Sequence, residues 1–141
     1  MILYKGDMWK HTSSVYVVTT NSYIKQNGEL VMGRGAAKEA KERYDRIAFD
    51  AGEKISHLSK YGFIYLPQYK VGLFQVKYHW NADAELSLID YSVYKLTQFA
   101  DMLCGDIVMN FPGIGNGRLP REDVISLLEI LPDNVIICEK D

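Results

Sequence analysis

Hydrophobic and polar positions along this chain follow two alternating rhythms. Short apolar or β-branched runs bounded by turn residues predict buried strands, and apolar residues recurring every third or fourth position predict helices with one covered face. Val15-Tyr16-Val17-Val18-Thr19 is a run of the first kind. Gly62 to Leu66 and Gly72 to Val76 predict two more strands with Pro67 between them. Asp106 to Phe111 predicts another, closed by Pro112-Gly113, and Val135 to Cys138 the last. Met1 to Tyr4 is a short apolar opening that ends at the turn Gly6-Asp7.

Helical spacing fills the gaps. Ala36 or Ala37, Ala40, Tyr44, Ile47 and Ala48 share one face, with Lys38, Glu39, Lys41, Glu42 and Arg43 toward water. A short helix is expected through Glu53 to Lys60. The clearest pattern is Leu86, Ile89, Val93, Leu96, Ala100 and Leu103, with Asn81 or Asp83 as cap and Gly105 as terminator. The last helix is expected from Pro120, at the first helical position, with Glu122 and Asp123 at its positive end. Val124, Leu127, Leu128 and Leu131 form its covered stripe and Pro132 stops it. Buried strands alternating with amphipathic helices predict a three-layer αβα architecture, with residues 1–141 as one domain.

The balance of 16 basic and 18 acidic residues, formally -2, does not predict a stable grip on a nucleic-acid backbone. Lys38, Lys41, Arg43 and Arg46 are read as a solvated helix face. Cys104 and Cys138 read as reduced core or near-core thiols of a cytoplasmic protein. No signal-peptide layout and no membrane-length apolar stretch is present. His11, His57 and His79 lack metal-ligand spacing, so no metal is expected.

Candidate chemistry lies where strands feed helices, because ligands of such sheets sit beyond the carboxyl ends of the strands. Two glycine-rich segments stand there. The first runs Gly28-Glu29-Leu30-Val31-Met32-Gly33-Arg34-Gly35-Ala36-Ala37. The second runs Pro112-Gly113-Ile114-Gly115-Asn116-Gly117-Arg118-Leu119. Each leads into a helix whose first N–H groups can meet an anion, and two such loops can hold a pyrophosphate from opposite sides. Neither has the Walker A ending or the dinucleotide-binding glycine spacing. Asn21, past the end of a strand, either contacts a sugar hydroxyl or caps the strand. Asp7 either accepts from a base amino group or holds a turn. Lys77 follows a strand end and either serves as a cationic or nucleophilic amine or is solvated. His79 and Trp80 either line the cleft or pack on the body, and Phe111 either rims the cleft or packs in the core.

In their order and separations, four segments resemble the macro domain, an ADP-ribose-binding module with a mixed sheet between helices. They are Gly6-Asp7-Met8, Val17-Val18-Thr19-Thr20-Asn21, Gly28 to Ala37, and Pro112 to Leu119 with Glu122-Asp123-Val124 behind it. The resemblance covers nearly the whole chain and implies an α/β, three-layer αβα macro-type domain with a central mixed sheet. It implies that Asp7 and the Met8 backbone bind adenine and that Asn21 lies near the distal ribose. It also implies that Val31, Met32, Gly33, Arg34, Gly35 and Ala36 form one phosphate loop. Gly113, Ile114, Gly115, Asn116 and Gly117 would form the other, with Pro112 at its start and Phe111 beside the ribose.

Within the family, Met32 to Ala37 and Lys77-Tyr78-His79-Trp80 are similar to the branch that removes ADP-ribose from DNA bases or protein carboxylates. There the matching lysine is catalytic, which implies catalytic roles for Lys77 and Asn21. Three departures narrow this. The protein-directed member carries an aspartate where Gly117 stands, and another hydrolytic branch carries one where Ala37 stands. The segment before Asn21 reads Val-Val-Thr-Thr rather than Val-Asn-Ala-Ala. The implied function is ADP-ribose binding with hydrolysis of a DNA or protein conjugate and no cofactor. The alternatives are a phosphatase acting on ADP-ribose 1''-phosphate and a non-catalytic ADP-ribose reader.

Overall fold

The computed structural model describes residues 1–140. Six strands, β1 (Ile2–Lys5), β2 (Val15–Thr20), β3 (Phe63–Leu66), β4 (Val71–Gln75), β5 (Ile107–Asn110) and β6 (Val135–Glu139), form one sheet in the order β1-β6-β5-β2-β4-β3. All neighbours are parallel except the β3–β4 pair, so the sheet is mixed. Helices α1 (Gly35–Arg43) and α2 (Ile47–Ile55) cover one face, and α3 (Leu86–Met102) and α4 (Arg121–Leu128) cover the other.

The continuous apolar runs hide a strict alternation. Val15 and Val17, Ile107 and Met109, and Val135 and Ile137 pack with α3 and α4. Val18, Val108, Ile136 and Cys138 pack with α1 and α2. Successive strand side chains point to opposite faces, so a strand covered on both sides is apolar at every position. Edge strand β1 departs from this rule: all four of its residues are exposed.

Several local expectations need correction. The pattern from Ala36 to Ala48 is two helices, broken at Tyr44 to Arg46, where Arg46 adopts φ 70°. Both helices bury the same face, so apolar spacing continues across the break and conceals it. The helix expected through Glu53 to Lys60 is the end of α2, which stops at Ile55. Neither Asn81 nor Asp83 caps α3; Glu85 holds that position without a side-chain bond. The preceding residues are fastened elsewhere, Ala84 N–H to Gly117 O at 3.0 Å and Glu85 N–H to Val76 O at 3.0 Å. Helix α3 ends at Met102, before Gly105. Pro120 caps α4 rather than opening it, and α4 ends at Leu128, short of Pro132. Cys138 is buried, but Cys104 is exposed because it lies in the turn after α3; both thiols are free. No helix of the described residues is long and apolar enough to cross a membrane.

Candidate functional site

Parallel pairing sends the carboxyl ends of β1, β6, β5, β2 and β4 to one edge of the sheet. β2 and β5 are neighbours there, yet the chain leaves β2 toward α1 on one face and leaves β5 toward α4 on the other. Such a divergence opens a crevice between the two departing loops. A cavity of about 570 Å³ occupies it, a size suited to a small-molecule ligand.

The first glycine loop forms one wall. Asn21, buried at the end of β2, accepts from Tyr23 N–H at 2.8 Å and donates from Nδ2 to Val31 O at 3.0 Å. Residues 24–30 fold back through the Ile24–Leu30 bridge, and Val31 N–H returns to Tyr23 O at 3.0 Å. Met32 is buried in the core beneath. Helix α1 then begins at Gly35 without a side-chain cap. Its first turn therefore presents amide hydrogens and the positive end of the helix dipole to the cavity. Gly35 takes φ 59°, which favours glycine.

The second loop is a compact turn. Leu119 N–H bonds to Gly113 O at 2.9 Å and Arg118 N–H to Gly115 O at 3.1 Å. Gly117 is tightly enclosed: a Cβ there would lie 2.6 Å from Gly113 O and 2.7 Å from Ala84 Cβ. Gly115 and Asn116 are exposed. A Cβ on Gly35 would stand 3.8 Å from Asn116 Nδ2, so the two loops face each other across the crevice.

The floor is polar where the strands end. Asn110 accepts from Thr19 N–H at 3.1 Å and donates to Thr19 Oγ1 at 2.9 Å, extending the β2–β5 pairing by side chain. Thr20 bonds to the Tyr61 hydroxyl, which donates to Asn21 O at 2.6 Å. Burial raises the pKa of Tyr61, against the lowering effect of its Thr20 bond, and keeps the phenol neutral.

Lys77 lines the cavity just past β4. Burial lowers its pKa from the ordinary lysine value; Arg34 and Arg118 push the same way, while Asp83 opposes them. No carboxylate among the described residues lies in salt-bridge range of its amine. Trp80 joins the same wall, and His79 stands between aromatic neighbours, its centroid 4.8 Å from that of Tyr23 and 5.1 Å from that of Trp80.

The cavity thus gathers Asn21, Val31, Gly33, Arg34, Gly35, Ala36, Lys77, Phe111, Gly113, Gly115, Asn116 and Gly117 from the sequence-predicted residues. It does not take in Asp7, Met8, Met32, Pro112 or Ile114. Asp7 caps a short 3-10 helix, Met8–Lys10, by accepting from Trp9 N–H at 3.0 Å. Met8 and Pro112 are buried, and Ile114 packs against the α3–α4 core. Thr19, Thr20, Tyr23, Lys25 and Asn110 line the cavity without having been anticipated. A polar residue ending the apolar run of β5 was the available signal for Asn110; Tyr23 and Lys25 had none. No group of three or more His, Cys, Asp or Glu among the described residues is placed to hold a metal ion.

No protein-family model and no curated protein matches the sequence. Solved structures do match it. The macrodomain of Mycobacterium tuberculosis DarG is 29% identical, with a TM-score of 0.74 over 99% of this chain and 97% of that one. This is the macrodomain fold. The macrodomain of Thermus aquaticus DarG shares it at a TM-score of 0.76 and 21% identity, over 99% of this chain and 97% of that one. Thermosipho africanus DarTG, solved in complex with ADP-ribose, matches at a TM-score of 0.76 and 18% identity, over 99% of this chain and 42% of that one. The macrodomain frame accounts for the crevice between β2 and β5: its walls are the loops that leave the two strands toward opposite faces.

Proposed function

We propose that this chain binds ADP-ribose between the two glycine loops and hydrolyses an ADP-ribose conjugate, with Lys77 at the distal ribose. The observation that carries the reading is the meeting of the α1 N-terminus and the Gly113–Gly117 turn across one cavity, with a lysine on its wall that no carboxylate among the described residues pairs. Amide hydrogens suit a diphosphate, since they supply positive partial charge without reorganisation. Solved structures that share the fold, among them Thermosipho africanus DarTG in complex with ADP-ribose, support the same ligand. In this reading Asn21 orients the distal ribose and shapes the loop that carries the phosphates. Phe111 borders the nucleoside, and Asp7 with the Met8 backbone receives adenine farther along the sheet edge.

Lys77 acts in one of two ways. Its neutral amine attacks the anomeric carbon as the leaving group departs with the bonding electrons, and water then replaces nitrogen on that carbon while the leaving group takes up a proton. Otherwise its ammonium stabilises negative charge on the leaving group while water attacks directly. A lowered pKa favours the first by raising the neutral fraction at a given pH. The conjugate is ADP-ribosylated DNA or protein, and the protein acts in the cytoplasm.

The test is calorimetry with ADP-ribose, followed by incubation with ADP-ribosylated DNA and ADP-ribosylated protein. Binding with release of ADP-ribose from either supports the proposal. Binding with every conjugate left intact makes the chain a reader. Phosphate release from ADP-ribose 1''-phosphate that survives Lys77→Met makes it the phosphatase.

A further inference from the structure

Gln75 is the one polar side chain in β4, a strand buried at every position. It is completely enclosed. A buried primary amide is costly unless its hydrogen-bonding capacity is used. Here it is. Oε1 accepts from Tyr61 N–H at 2.8 Å and from Gly62 N–H at 3.0 Å. Nε2 donates to Ser59 O at 2.8 Å and to Lys77 O at 3.4 Å. The Gln75 carbonyl accepts from Ser92 Oγ at 2.7 Å, and Ser92 is itself fully buried in α3.

The next residues are fastened as well. Val76 N–H reaches Thr20 O on β2 at 3.0 Å, and Val76 O receives Glu85 N–H at 3.0 Å. Tyr78 O receives Ser22 N–H at 3.4 Å and Ser22 Oγ at 3.3 Å. The segment bearing Lys77 is therefore tied to β2, to α3 and to the 59–62 turn, although it lies beyond the last ladder bond of β4. Gln75 is the tie that bonds to Lys77 itself. If only packing were needed here, an apolar side chain would avoid the desolvation cost of the amide.

We infer that Gln75, braced by Ser92, is a positioning residue for Lys77: its buried amide holds the Lys77 main chain so that the amine stays directed at the reacting end of the cavity. The inference rests on the reading that Lys77 acts on the ligand. It adds a buried residue, out of reach of any ligand, to the determinants of turnover.

Gln75→Glu separates positioning from simple support of the turn. Enclosed and facing two carbonyl oxygens, the introduced carboxyl is held neutral; it keeps the acceptor bonds to Tyr61 and Gly62 and an O–H for Ser59 O, but it loses the donor to Lys77 O. Misplacement of a reacting group costs rate steeply, so kcat for conjugate cleavage should fall roughly tenfold or more, with KM and ADP-ribose affinity little changed. Ser92→Ala should act in the same direction by a smaller factor, and Ser92→Thr should restore the rate. In parallel, the chain is produced with lysine labelled at Cε with ¹³C, and the Lys77 resonance is titrated in wild type and variants. Loosening of the segment should let the amine reach water, raising its titration midpoint toward that of an ordinary lysine. Unchanged kcat and an unchanged Lys77 midpoint in a folded Gln75→Glu protein would overturn the inference. If Gln75→Glu does not fold, the same readings on Ser92→Ala decide. If wild type cleaves no conjugate, the proposed function fails by itself, and the Lys77 midpoint still decides whether Gln75 controls that amine.

Discussion

Asn21 and Val31 are joined by a 3.0 Å hydrogen bond from side-chain Nδ2 to main-chain O, across the excursion of residues 22–30 that leads into the first glycine loop. The other end of the same amide accepts from Tyr23 N–H. One buried side chain therefore ties the end of β2 to Val31, where the chain turns toward Gly33 and Gly35. Asn21→Ala should lower stability by about 1–3 kcal/mol, two hydrogen bonds at typical net values, and weaken ADP-ribose binding. Asn21→Asp keeps the acceptor for Tyr23 but sets an oxygen against Val31 O, so it should do no better than alanine. Thermal unfolding with and without ADP-ribose checks both variants. An aspartate variant that bound like wild type would deny the loop-anchoring role.

Lys77→Met should abolish most conjugate cleavage, a loss of roughly a hundredfold or more, while ADP-ribose affinity changes little. The same variant should be at least as stable as wild type. A folded-state lysine pKa below the unfolded value means that the folded protein binds fewer protons between the two values, so stability rises with pH across that window. Below the window the charged amine is a net cost, because burial and the neighbouring Arg34 and Arg118 disfavour it. Methionine removes that cost. If the neutral amine is the nucleophile, wild-type kcat/KM should rise with pH to a plateau whose midpoint lies below the ordinary lysine value. A profile that falls as the amine loses its proton would assign the ammonium role instead. Denaturation midpoints across pH and single-turnover rates measure the two effects.

The legibility of this fold in its sequence follows burial. Central strands such as Val15–Thr20 and Ile107–Asn110 are apolar at nearly every position because helices cover both faces, and such runs are hard to mistake. The break between α1 and α2 was invisible because Tyr44, Ile47 and Ala48 continue the apolar spacing while the backbone reverses at Arg46. The cap of α3 is not legible in the sequence because Ala84 and Glu85 spend their N–H groups on Gly117 and Val76, contacts set by the tertiary fold. The same division holds in the site. Glycine loops announce themselves by composition, and Gly33, Gly35, Gly113, Gly115 and Gly117 all line the cavity. Asn110 and Thr19 reach the cavity through strand register alone, and register depends on which strands become neighbours. Asp7 is the harder case, since its Oδ1 holds its own turn through Trp9 N–H and a motif position does not show what its other oxygen meets.

Gly117 bears on which chemistry this site can adopt. The aspartate found at the matching position of the protein-directed branch cannot be accommodated, since even a Cβ would stand 2.6 Å from Gly113 O. Backbone cannot yield as a flexible side chain does, so overpacking of this kind costs about 1–3 kcal/mol or more. Gly117→Asp should therefore lower the unfolding midpoint and ADP-ribose affinity together, without creating activity on glutamate-linked ADP-ribose. A stable, newly active Gly117→Asp protein would show that the second loop is far more pliable than its hydrogen bonds indicate.

Arg118 holds φ 63°, a left-handed conformation that is costly for any residue with a Cβ. Its side chain is mostly exposed and reaches Asp83 only at 3.9 Å, a pair too exposed to offset that cost. What the arginine does contribute is positive charge that lowers the Lys77 pKa. Arg118→Gly should therefore stabilise the protein by about 1 kcal/mol through relief of strain, and it should raise the Lys77 titration midpoint. If the neutral amine is the reacting form, cleavage near neutral pH should slow even as the protein becomes harder to melt. Arg118→Lys separates the two effects, because it keeps the charge and the strained backbone together and should leave both stability and midpoint close to wild type. A glycine variant with an unaltered Lys77 midpoint would mean that solvent screens the guanidinium completely, leaving burial and Arg34 as the causes of the lysine's depressed pKa.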